Sequence, residues 1–351
     1  MYSTVICSLT LASVLSSVAG VATLDKRQTT NATASDGGSG IPTINDVTNP
    51  VCKPFVAVRD AIMGDIFQGR CNDNARAAIR LSFHDAGTFS LSREAAGLDN
   101  GGADGSLLVD PNEINRSENN GMQTIVSLLK PLPEKFDVSP GDVLHLAGTL
   151  AVIACPGGPL VNTFVGRPAV KNDNPTGLIP DTHDTVSNIV NRFSDMGITV
   201  REAMALIGSH TCARQRFVDL AFANDTFDTT PEIWDIRFYA ETKRNDSDPG
   251  VFRLPSDLAF SHSSLTQDDY NRFVGSLSTQ EDWAREYADA HEKMSMLGQD
   301  VSALTDCTEI MPEAIHLRDI TVTSSGGAVD PAVDPAKLEA EIQRTRSIWL
   351  Q

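Results

Sequence analysis

Arg80 and His84 stand four residues apart in Arg80-Leu81-Ser82-Phe83-His84-Asp85-Ala86. The stretch from Asn74 to Ala86 carries Ala75, Ala77, Ala78, Ile79, Leu81 and Phe83 and stops at Gly87, which reads as a helix. Residues at i and i+4 share a helix face, so the guanidinium lies beside the imidazole. Two cations repel there, which favours a neutral His84, the form that works as a general base. Taken alone, the pair would more often be a surface histidine beside a solvated arginine. Its neighbours argue otherwise. Asp85 follows directly, and Asp99-Asn100-Gly101-Gly102-Ala103-Asp104-Gly105-Ser106 gathers oxygen ligands on a glycine-rich loop, the flexible shell that Ca2+ takes. A second group repeats the arrangement, with Thr211, Asp228, Thr230 and Asp235 adjoining His210. Two oxygen clusters, each beside a histidine on a helix, point to metal sites.

Helices must position these groups. Ser139-Pro140-Gly141-Asp142 places a capping Ser, a first-turn Pro and an N3 acid before the apolar run Val143 to Cys155. Thr199-Val200-Arg201-Glu202 opens a helix expected from Ala203 to Phe217, on which His210 rides. Ser278-Thr279-Gln280-Glu281 opens a third, with Trp283, Tyr287, Met294 and Leu297 near helical spacing. Without period-two alternation between hairpin turns, and without a repeat of fixed period, the chain reads as mainly α.

Composition bounds the function. The 351 residues carry 28 Lys+Arg against 46 Asp+Glu and are 41% hydrophobic, which suits a soluble globular protein of one large or two intimate domains. A formal charge of −18 leaves no basic field for a nucleic acid or an anionic membrane. The apolar run Val5 to Leu24 is cut by Ser and Thr below the ~20 residues of a membrane span and ends in small residues, as secretion signals do. Lys26-Arg27 then forms a dibasic processing site. We therefore expect residues 1–27 to be signal peptide and propeptide, residues 28–46 a flexible polar leader, and the processed chain to be extracellular with no membrane anchor. Six cysteines are present, with Cys7 in the signal. The remaining five allow at most two disulfides and leave one thiol, and counting does not choose the pairs.

Three ordered motifs carry a resemblance: Arg80 to Ala86, Gly101-Gly102-Ala103-Asp104-Gly105-Ser106, and Ala205-Leu206-Ile207-Gly208-Ser209-His210-Thr211. They resemble the distal, calcium and proximal motifs of plant-type haem peroxidases. Cys155-Pro156-Gly157-Gly158-Pro159 running to Gly166-Arg167, Phe227-Asp228-Thr229-Thr230-Pro231, Ser256-Asp257 and Leu304-Thr305-Asp306-Cys307 are similar to the secreted fungal (class II) branch. The resemblance spans roughly residues 50 to 312 and implies a mainly α peroxidase fold, with haem between a distal half (47–165) and a proximal half (166–312) and a tail at 313–351. It implies haem b with His210 as axial ligand and Asp257 as its hydrogen-bond partner, His84 as acid–base, and Arg80 stabilising developing negative charge. Asn119 would accept the proton of His84 and Glu113 would hold Asn119. One Ca2+ would take Asp85, Gly102, Asp104 and Ser106, and another Thr211, Asp228, Thr230, Ile233 and Asp235. Phe83 and Phe227 stand where intracellular relatives have tryptophans. The implied disulfides are Cys71–Cys155 and Cys52–Cys307, with Cys212 an inert core thiol. The partners would be H2O2 and small aromatic reducing substrates, taken by a monomer.

Departures from the family bear on substrate. Manganese-oxidising members place two glutamates and an aspartate where this chain has Asp73, Ala77 and Arg216, and members that use a surface Trp have it where Ala205 stands. The resemblance therefore implies a generic peroxidase oxidising small phenols and aromatic amines at a haem edge near Pro159. The alternative is a catalytically weak haem- and calcium-binding relative that scavenges oxidant or serves structure. His145 is expected to be a packing residue, and His183 and His291 solvated. Acceptor sequons stand at Asn31, Asn115, Asn224 and Asn245.

Overall fold

The computed structural model describes residues 40–170, 173–275, 277–317 and 334–349. The expected signal, its dibasic site, Asn31 and most of the leader lie outside these residues, as do residues 318–333 of the tail. Residues 40–46, at the end of the expected leader, are held in place: Arg59 Nη1 donates to Pro42 O at 2.7 Å and Glu313 N to Gly40 O at 3.0 Å.

The fold is mainly α. Its principal helices are α1 (Lys53–Asp60), α2 (Asp73–Ala86), α3 (Pro140–Ala154), α4 (Val186–Asp195), α5 (Val200–Ile207), α6 (Pro255–His262), α7 (Leu277–Met294) and α8 (Pro335–Trp349). Regular sheet among the described residues is confined to β1 (Phe164–Val165) paired antiparallel with β2 (Thr305–Asp306). No helix among the described residues is long and apolar enough to cross a membrane.

Local chemistry explains the helix starts. Asn72 caps α2 by accepting from Ala75 N at 2.9 Å, a contact typically worth about 1 kcal/mol. Ser139 caps α3 through Asp142 N, with Pro140 in the first turn. Thr199 and Glu202 form a full capping box on α5. Every residue of α3 from Gly141 to Ala154 is buried, as befits a helix apolar all round. It packs against α2, and a Cβ at Gly148 would come within 2.7 Å of the Ser82 Cβ, so glycine sets how closely the two helices approach.

One expected helix is shorter than its pattern. The segment from Ala203 does not run to Phe217: α5 ends at Ile207, a 3₁₀ turn covers Gly208–Cys212, and Phe217 lies exposed on a loop. Gly208 sits under the Tyr239 hydroxyl and the Trp283 ring, where a Cβ would meet atoms at 2.3 and 2.6 Å, and Thr211 is drawn into a buried oxygen cluster.

The disulfides are Cys52–Cys307 and Cys71–Cys155, with Cα–Cα distances of 5.3 and 4.5 Å. Cys212 is a buried thiol, and burial pushes its pKa well up, away from reactivity.

Candidate active site

A cavity of about 520 Å3 opens between α2 on one side and α5, the following 3₁₀ turn and α6 on the other. Arg80, Phe83 and His84 line it from α2; His210, Phe227, Leu254, Phe260 and Asp257 line it opposite. His84 Nδ1 lies 3.0 Å from Asn119 Oδ1, and Asn119 Nδ2 donates to Glu113 O at 2.7 Å. That second bond fixes the amide orientation, so Nδ1 of His84 carries the proton and Nε2 keeps its lone pair. Arg80 Nε donates to that Nε2 at 3.2 Å, while its other nitrogens reach Asn120 O and Glu118 O, each at 2.8 Å. Burial, aided by Arg80, holds the His84 pKa well below its ordinary value, against the opposing bond from Asn119. Arg80 is open to the cavity but enclosed by protein, and burial lowers its guanidinium to about 10.

Glu113 holds Asn119, as expected, but through its main chain. Its carboxylate turns away to accept Asn174 N at 2.9 Å through Oε2. Asn174 also donates to Gly102 O at 3.2 Å and Asp104 Oδ1 at 3.3 Å. The Glu113 carboxyl thus belongs with the oxygen cluster beyond His84. There Asp85 Oδ2 accepts from Gly105 N at 2.8 Å and faces His145 Nε2 at 3.0 Å, while Asp85 Oδ1, Ser106 Oγ and Glu113 Oε1 are buried without a hydrogen-bond partner. Burial raises Asp85, Asp104 and Glu113 to about 7 each. Orphaned carboxyl and hydroxyl oxygens crowded in one place are the donor set of a hard cation. His145 is a packing residue with a defined partner in Asp85.

On the opposite wall His210 Nδ1 lies 2.8 Å from Asp257 Oδ2, a carboxylate that is itself buried, which leaves Nε2 for the cavity. Phe227 packs beside the imidazole with ring centroids 5.3 Å apart, and Phe238 meets it edge-on at 5.7 Å. Next to His210, Thr211 Oγ1 reaches Asp228 Oδ2, Ile233 O at 3.4 Å and Asp235 Oδ1 at 3.5 Å. Thr230 closes the group through Asp228 Oδ1 and Asp235 Oδ2, each at 2.9 Å. Burial first, then Asp235, pushes the Asp228 pKa well up. The structure brings together all five of these residues.

At one mouth of the cavity both oxygens of Asp73 are taken, by Arg76 at 2.6 Å and Arg216 at 2.7 Å. Burial works against ionisation of Asp73, but the two arginines outweigh it and hold the carboxyl low. Ala77 lines the same mouth. Ile179, Pro180, Asp181 and His183 also line the cavity, whereas Pro159, the expected edge residue, does not. His183 is exposed, as expected. His291 is not solvated: it is fully buried, with Nδ1 3.0 Å from Tyr287 Oη. Ala205 is fully buried too, its carbonyl accepting from Trp283 Nε1 at 2.9 Å. Asn174, Phe238 and Pro180 escaped sequence reasoning, since nothing in their local pattern separates them from ordinary loop or core positions.

The peroxidase family matches residues 58–276. Manganese peroxidase 3 of Phlebia radiata is 34% identical over 287 residues, covering 76% of this chain and 78% of the relative. Ligninase B of Phanerodontia chrysosporium is 32% identical, covering 88% and 84%, and a peroxidase of Arthromyces ramosus is 31% identical, covering 84% and 86%.

Proposed function

The chain belongs to the peroxidase family, in its fungal class II branch, and from that premise we propose that it binds haem b through His210 and oxidises small phenols and aromatic amines by one-electron steps. It is an H2O2-dependent oxidoreductase. The observation that carries the finer reading is the fixed tautomer of His84, whose basic Nε2 shares a cavity with His210. The pocket suits the prosthetic group: His210 Nε2 is left free by Asp257, and Leu206, Ile207, Phe227, Leu254 and Phe260 offer apolar walls. When bound, haem supplies the redox-active iron at which peroxide is reduced.

The chain's own residues then have distinct parts. His84 Nε2 takes the proton from the attacking peroxide oxygen and returns it to the departing one. Arg80 lends positive charge where the oxygen–oxygen bond polarises. Asp257 accepts from His210 Nδ1 and makes that ligand more electron-donating. Asn119 locks the His84 tautomer and is itself held by the Glu113 main chain. Phe83 and Phe227 wall the pocket. Two Ca2+ would sit in the oxygen clusters beside His84 and His210, the distal one with the Glu113 carboxylate alongside. The halves at 47–165 and 166–312 would embrace the haem in a secreted monomer.

Titration with haem should give a Soret band, and the loaded protein should oxidise a simple phenol only when H2O2 is added. Haem binding without peroxide-dependent turnover would point instead to the catalytically weak relative.

A further inference from the structure

Trp234, Trp283, Tyr239, Tyr270 and Tyr287 are all buried and form one contiguous aromatic cluster. Trp234 stacks on Trp283 at 5.5 Å with 12° between the planes and meets Tyr287 edge-on at 4.7 Å. Tyr239 joins Trp283 at 5.9 Å and Tyr270 at 5.1 Å. Tyr287 also lines the cavity that holds His210, which makes it the member of the cluster in contact with the proposed haem site.

Electron loss from a tyrosine leaves a strongly acidic phenol, so it is favourable where a base takes the proton at once. The hydroxyls of Tyr239 and Tyr270 donate to main-chain carbonyls, of Met204 at 2.6 Å and Tyr239 at 3.2 Å, and Trp283 Nε1 donates to Ala205 O. A peptide carbonyl is not a base. Tyr287 differs, because Oη lies 3.0 Å from His291 Nδ1, one turn further along α7. Burial holds His291 neutral, at about 3, so Nδ1 has a lone pair to accept the proton. The other ring nitrogen then carries hydrogen and is buried without a hydrogen-bond partner, so Tyr287 is the one group bonded to the His291 ring among the described residues.

We propose that Tyr287 and His291 form an internal redox site that holds one oxidising equivalent after peroxide has reacted, when no reducing substrate is present. Tyr287 is oxidised by one electron, which passes to the haem group that H2O2 has oxidised. The phenolic proton moves to His291 Nδ1, leaving a neutral tyrosyl radical beside an imidazolium, and return of one electron and that proton restores the pair. Because the cluster is buried throughout, it stores the equivalent rather than handing it to a substrate at the surface. The inference rests on the haem peroxidase reading above.

The experiment is freeze-quench EPR of the haem-loaded protein with one equivalent of H2O2 and no reductant, with the optical spectrum recorded in parallel. The expected result is a tyrosyl signal that changes in protein carrying ring-deuterated tyrosine, is lost in Tyr287→Phe, and persists in Tyr239→Phe and Tyr270→Phe. At high field the unsubstituted protein should show the g-shift of a tyrosyl oxygen accepting a hydrogen bond from a cation, and His291→Gln should abolish that shift. This measurement stands even if Tyr287→Phe fails to fold. An optical response to peroxide with no tyrosyl signal, or a signal unchanged in Tyr287→Phe, overturns the proposal alone. No optical response to peroxide overturns the peroxidase reading along with it.

Discussion

At the residue scale the cavity turns on one imidazole held neutral. Enclosure and the adjacent guanidinium both oppose charge on His84, so its neutral, basic form persists to lower pH than that of an ordinary histidine. Removing it in His84→Ala should leave haem bound and slow the reaction with H2O2 by at least about 10²-fold, the low end for a general acid–base group; stopped-flow rates equal to the parent protein would take His84 out of that role. Glu113 makes a sharper test, because its carbonyl and carboxylate serve different neighbours. Glu113→Gln keeps the carbonyl on Asn119, so the peroxide rate should be unchanged while calcium binding weakens; a slowed rate at saturating calcium would return the carboxylate to the His84 chain. The spacing of Arg80 and His84 was legible because a helix imposes it. The direction of the Glu113 side chain was not, since it depends on where Asn174, 61 residues later, comes to rest.

At the element scale α2 ends in a histidine that serves the cavity and an aspartate that serves the oxygen cluster, so the cluster and the catalytic geometry share a helix terminus. Asp85, Asp104 and Glu113 are raised to about 7 in the folded chain, against about 4 when unfolded. Without metal the folded state therefore binds more protons than the unfolded state between about pH 4 and 7, and stability falls as pH rises through that window. Calcium needs the ionised forms, so its stabilisation grows over the same range. The gain in melting temperature on adding Ca2+ should be large at pH 8 and small at pH 5, and EDTA should reverse it; a gain independent of pH would contradict the assignment. The helices themselves were readable from caps and apolar period. The change to a 3₁₀ turn after Ile207 was not, because the neighbours there, Tyr239 and Trp283 over Gly208 and Asp228 on Thr211, come from later in the chain. Nor was the burial of His291, since apolar periodicity passes over a polar residue that shares the buried face of α7 with Trp283 and Tyr287.

At the scale of the whole molecule, distant parts of the chain meet twice with consequences that can be measured. Cys52–Cys307 closes a loop of 255 residues beside the β1–β2 pairing. In the chain-entropy account a closure of that length is worth about 5 kcal/mol, so replacing both cysteines by alanine should lower the melting temperature markedly without altering the haem spectrum. The second meeting is at the mouth of the cavity, where α2 supplies Asp73 and the loop beyond His210 supplies Arg216. The overall charge of −18 would attract a divalent cation, but the local field does not hold one: the carboxylate is bonded to two guanidiniums, and Ala77 brings no oxygen. Mn2+ binds through several hard oxygens, and here the one available pair is already neutralised. Steady-state oxidation of Mn2+ by H2O2 should therefore be negligible while a phenol is turned over. The triple change Asp73→Glu, Ala77→Glu and Arg216→Asp removes one cation and adds two carboxylates, making three at the same mouth, and it should confer saturable Mn2+ oxidation. Efficient Mn3+ production by the unaltered protein, saturating in the micromolar to low-millimolar range usual for enzyme substrates, would overturn this account of the mouth.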